Sequence, residues 1–71
     1  MFNEFEAVQV VKSLPKLKLR AGQVGTVVEI YDNPSRAYEV EFCNSEGETL
    51  VSATLFDADL QSFHNQMPLA A

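Results

Sequence analysis

The stretch Gly22-Gln23-Val24-Gly25-Thr26-Val27-Val28-Glu29-Ile30-Tyr31 constrains the fold more than any other part of the chain. Two glycines three apart lead directly into a β-branched run. That combination reads as a tight turn feeding a strand, because glycine supplies turn conformations and branched side chains suit a pleated surface. The run predicts a strand over Thr26 to Tyr31. Thr26, Val28 and Ile30 are expected on its core face, and Val27, Glu29 and Tyr31 on the other. With Gly22 and Gly25 as its turn residues, this becomes the central strand of a small β-barrel.

The flanking sequence supplies further strands. Ala7-Val8-Gln9-Val10-Val11 reads as a first strand with Val8 and Val10 on one face, ended by Ser13-Leu14-Pro15. Lys16-Leu17-Lys18-Leu19-Arg20 is read as a long first loop, with Leu17 and Leu19 tucked beneath the barrel and the three cations in water. Asp32-Asn33-Pro34-Ser35 is a concentrated turn signal. Ala37-Tyr38-Glu39-Val40-Glu41-Phe42 has the cleanest period-2 pattern, with Tyr38, Val40 and Phe42 inward and Glu39 and Glu41 outward. Asn44-Ser45-Glu46-Gly47 forms a hairpin turn in which Gly47 takes a positive φ. Glu48 to Leu55 is a fourth strand with apolar residues on both faces, so its register stays open. Asp57 caps a single 3₁₀ turn, Leu60 plugs the barrel, and a short fifth strand follows. The order is that of an SH3-like barrel: all-β, partly open, about five strands with one 3₁₀ turn. Residues 1–64 form this one domain and residues 65–71 a loose tail.

Composition narrows the function classes. A chain of 71 residues, 46% hydrophobic, suffices for one compact core and leaves few residues to wall a deep pocket. Ten acidic against five basic residues give a formal charge of −5, which argues against nucleic acid and against an anionic membrane surface. The single cysteine, Cys43, has no internal partner, and no apolar run reaches signal-peptide or membrane-spanning length. A reduced, cytoplasmic setting is expected.

The chemistry-bearing residues form no convincing constellation. Gly22-x-x-Gly25 has phosphate-loop spacing, but a strand follows it rather than a helix N-terminus. Asp57 and Asp59 with Glu46 or Glu48 are too few oxygens for a hard cation. Cys43 and His64, the only histidine, are a conceivable dyad and too few ligands for zinc. The expectation is therefore no catalytic residue, no metal and no cofactor. Tyr38 alternates with core residues, whereas Tyr31 reads as a surface aromatic of the kind that binds peptides. Four of the five basic residues lie between Lys12 and Arg20, a local anomaly in an acidic chain. Tyr31, Glu39, Glu41, Lys16, Lys18 and Arg20 are the candidate partner-binding residues. Phe63, Met67 and Leu69 are candidate homodimer contacts.

The Gly22–Tyr31 segment resembles the KOW-type pattern, in which G-x-x-G-x-V enters a strand of an SH3-like barrel. More closely, the chain resembles a group of small uncharacterised bacterial proteins. The shared features are Leu14-Pro15, the A-G-x-V-G-T-V-V-E segment at Ala21 to Glu29, A-Y-E-V-E-F at Ala37 to Phe42, G-E-T at Gly47 to Thr49, and Asp59-Leu60. The resemblance covers roughly residues 5–62. It implies the fold and transfers no catalytic residue. The expected function is a non-catalytic protein–protein interaction module, in the manner of an antitoxin, an immunity protein or a small regulatory subunit of a co-encoded partner. The alternative is a KOW-like module associated with RNA or the ribosome.

Overall fold

A computed structural model describes residues 1–44 and 46–63. Short branched segments separated by turn residues become five strands: β1 (Ala7–Val10), β2 (Val24–Tyr31), β3 (Ala37–Cys43), β4 (Thr49–Leu55) and β5 (Leu60–Ser62). All pairings are antiparallel in one open sheet, ordered β4-β3-β2-β1-β5. The expected all-β, partly open, five-stranded architecture is met. No helix among the described residues is long and apolar enough to cross a membrane.

There are two 3₁₀ turns, not the expected one: Pro15–Leu17 lies inside the first loop, and Asp57–Asp59 precedes β5. Pro15 presets φ for the first of them, and Lys18 ends it at φ 60°, donating its N–H to the Pro15 carbonyl. This turn decides which loop leucine is buried. Leu14 and Leu19 form a bridge, which carries Leu19 into the core, while Leu17 stays 37% exposed instead of tucking under the barrel.

The core joins Val8 and Val10 of β1, Val27 of β2, Tyr38, Val40 and Phe42 of β3, and Ala53 and Leu55 of β4, with Phe2, Leu19 and Leu60 at its ends. Fully burying a side chain of valine or leucine size contributes roughly 1.5–3 kcal/mol. The open register of β4 is settled by the pairs Tyr38↔Leu55, Val40↔Ala53 and Phe42↔Val51, so its odd-numbered residues face inward from Val51 on.

In β2 the expected register fails. Pairing with β3 shifts between Val27 and Glu29. The extra residue, Val28, is only half-buried, and Val27, assigned above to the outer face, is wholly buried. Beyond the bulge the phase inverts and Ile30 packs against the core as expected. Gly25 is likewise inside β2 rather than in the turn. A Cβ there would lie 2.7 Å from the Glu41 carbonyl oxygen and 2.8 Å from side-chain atoms of Val40 and Phe42, so β3 packs directly onto its backbone. Gly22 holds the turn, at φ 97° with open space around it.

Candidate functional site: the open end of the sheet

The Tyr38 end is closed. Its buried phenol donates a hydrogen bond to Asp57 Oδ1 (2.9 Å) and accepts one from the Phe2 N–H (3.2 Å). The Phe2 ring meets it edge-on with centroids 5.3 Å apart. Asp57 is thus engaged by Tyr38 and does not cap the second 3₁₀ turn. Asp59 does that, accepting the Phe56 N–H at 3.0 Å, and it also pairs with Lys12 at 3.4 Å. Glu46 and Glu48 belong to the far hairpin, where the Asn44 side chain ties the turn together. No group of three or more metal-ligating side chains occurs among the described residues. Cys43 is exposed, with its Sγ 3.9 Å from Thr49 Oγ1. His64, Met67 and Leu69, and with them the dyad and the tail at 65–71, lie outside the described residues. Phe63 is half-buried and donates its N–H to the Ala7 carbonyl at 3.0 Å.

The outer face carries the acidic candidates. Glu29 stands directly across from Glu39 on neighbouring strands, a like-charge pairing that costs stability. Glu39 also accepts hydrogen bonds from Ser52 (2.6 Å) and Thr54 (2.8 Å). Glu41 lies across from Thr26. Tyr31 is exposed beside these carboxylates. Partial desolvation, then Glu29 and Glu39, hold its phenol above the usual 10.0. Tyr31, Glu39 and Glu41 therefore share the outer face of β2 and β3, apart from the basic candidates.

The basic candidates sit at the other end of the sheet. A shallow hollow of about 520 Å³ opens there between the first loop and the adjoining ends of β2, β3 and β4. Lys18 is the charged residue in its lining; Val24, Leu50, Phe42 and Val51 supply the apolar surface, with Gln23 and Cys43 beside them. Leu50 is 67% exposed because β3 and β4 slip register at Phe42/Cys43, which leaves Leu50 as the extra residue of a bulge. Val24, the first residue of β2, is 39% exposed. A second, apolar hollow of about 430 Å³ is formed by Leu14, Pro15, Lys16 and Leu17 on the same loop.

Of the five cations, Lys12 pairs with Asp59 and Arg36 with Asp32 (3.1 Å). Lys16, Lys18 and Arg20 are all exposed and have no carboxylate partner among the described residues. With Lys16 in the second hollow on the same loop, the structure thus places one of the predicted residues, Lys18, in the lining of a hollow that sequence reasoning missed. Its one available signal was the consecutive Leu50-Val51, which cannot both face inward in a regular strand.

A family model described as Domain of unknown function (DUF4926) matches residues 4–62. No curated protein and no solved structure matches the chain.

Proposed function

We propose that this chain, which belongs to the family described as Domain of unknown function (DUF4926), is a non-catalytic module that binds another protein through the open end of its sheet. The observation that carries the reading is Leu50, two-thirds exposed at a bulge on the rim of a hollow lined by both apolar and polar residues. A surface leucine lifted beside a ready concavity is a feature of recognition surfaces. The strand order is also that of SH3-like barrels, which use shallow surfaces to bind peptides. The proposed setting is the bacterial cytoplasm, where the exposed Cys43 stays reduced, with a co-encoded protein as the first partner to try. Affinity isolation of the tagged chain from its native host tests the reading. A stoichiometric protein partner that dissociates on Leu50→Asp substitution is expected. Recovery of no such partner rejects it.

One observation favours a second reading. Three exposed cations on one loop, with no carboxylate partner among the described residues, form a small basic patch of the kind that could contact phosphates in a KOW-like module. Filter binding across a salt series tests it, because phosphate contacts give a steep salt dependence.

A further inference from the structure

The basic loop contributes Lys18 to the lining of the hollow. We infer that its occupant is an acidic, apolar protein segment, with an aliphatic or aromatic side chain seated between Val24 and Leu50 and a carboxylate beside it on Lys18. The inference rests on the protein-binding reading and names the partner's chemistry.

The charge inventory carries it. The chain has ten carboxylates for five cations, enough to pair every cation. Yet Lys16, Lys18 and Arg20, close together on one loop, have no carboxylate partner among the described residues. Their placement is fixed by the fold. Pro15 and the left-handed Lys18 shape the turn, and the buried Leu19 anchors the loop directly after it. Lys18 is therefore held at the rim of the hollow, complementary in charge to an acidic segment.

The apolar half of the surface separates a peptide from RNA. Single-stranded RNA needs aromatic faces on which bases stack. The hollow offers aliphatic Val24, Leu50 and Val51, and its one aromatic ring, Phe42, is buried. A polyanion would also meet the −5 charge of the whole chain, whereas a segment with one or two carboxylates meets chiefly the local cations.

Selection of random peptides of about twelve residues against the immobilised full chain tests the inference. The expected winners carry Leu, Ile or Phe next to Asp or Glu. Binding of the leading peptide should weaken about tenfold or more in Lys18→Glu and in Leu50→Asp, and replacing its acidic residue by Lys should restore binding to Lys18→Glu. Both positions are exposed, so both variants should melt close to the parent. Backbone amide NMR shifts should concentrate at Lys18, Val24 and Leu50. Winners without acidic enrichment, no winners, or affinities unmoved by Lys18→Glu overturn the inference. So does an oligouridylate of about ten nucleotides that displaces the peptide with a steep salt dependence, which would assign the surface to RNA. A native partner retained by both variants would leave the protein-binding module standing and move its surface elsewhere, whereas no partner at all removes both.

Discussion

Tyr38 and Phe42 lie on one face of one strand, four residues apart, and both are buried. The ends of the sheet they occupy are finished in opposite ways. Around Tyr38 the N-terminal segment and the second 3₁₀ turn close in, and the phenol oxygen is satisfied on both sides. Around Phe42 the next strand bulges outward, Leu50 and Val24 stand in solvent, and three cations have no carboxylate partner among the described residues. The same alternating pattern builds both ends. What differs is the covering supplied by the segments on either side of the strands. Side chains are buried and hydrogen-bonded where that covering is complete, and apolar ones stand in solvent where it is not.

The largest expected effect tests the framework that both ends share. Val27→Asp puts a carboxylate where the native side chain has no exposure, a cost of several kcal/mol against a typical total stability of roughly 5–15 kcal/mol. The variant should be unfolded by circular dichroism, while Val28→Asp at the bulge should keep a cooperative, lowered melt. Equal loss at both positions would remove the phase inversion in β2.

Next in size is Gly25→Ala. The added methyl meets backbone and side-chain atoms of β3 under 3 Å away, and overpacking of this kind costs about 1–3 kcal/mol. Gly22→Ala meets open space but keeps a positive φ, for about 1–2 kcal/mol. Gly25→Ala should have the lower melting temperature of the two. Because Gly25 lies beside Val40 and Phe42, its loss should also disturb NMR signals lining the hollow before those around Tyr38.

The sharpest contrast between the ends comes from Tyr38→Phe and Leu50→Ser, compared by urea unfolding. Removing the phenol oxygen leaves the Phe2 N–H without its acceptor, for about 1–2 kcal/mol. Leu50→Ser should stay within about 0.5 kcal/mol of the parent, as surface substitutions do. A larger loss at Leu50 than at Tyr38 would reverse the assignment of closed and open ends.

The smallest effect concerns Tyr31, on the outer face. Its folded-state pKa is raised, first by partial desolvation and then by Glu29 and Glu39, so the folded chain keeps a proton that the unfolded chain releases. The sign follows: this contribution to stability is whole below the unfolded value near 10.0 and is lost as pH rises through the folded one. In Glu39→Gln the Tyr31 titration, followed by NMR, should move down. An unmoved midpoint would detach Tyr31 from the acidic column.

Much of this architecture is legible in the residues. The alternation in Ala37 to Phe42, the pairing of Val8 with Val10, and Leu60 after the Asp-rich turn all describe what the structure contains. They were readable because one side of each segment is buried, and burial imposes period 2. The failures share a cause. A bulge belongs to two strands at once, so Val28 does not announce it within its own strand, and Leu50 does so only by standing next to Val51. Leu17 and Leu19 have the same side chain and alternate alike; only the 3₁₀ turn between Leu14 and Lys18 decides which of them is buried. Lys16, Lys18 and Arg20 stood out as a charge anomaly, but the concavity that Lys18 lines is made with β2, β3 and β4, and its one local trace is the consecutive Leu50-Val51.

The hydrogen bonds at the Tyr38 hydroxyl span 36 residues to Phe2 and 19 to Asp57. In kinetic terms, a junction that needs both loops closed pays its loop entropy before it returns any energy. Such contacts are expected to form after the transition state, so Tyr38→Phe should speed unfolding and leave the folding rate almost unchanged in a stopped-flow comparison. The closed end is then a latch on the finished sheet. Hydrogen exchange at the Phe2 amide would register the latch opening, a quantity distinct from the melting of the sheet behind it.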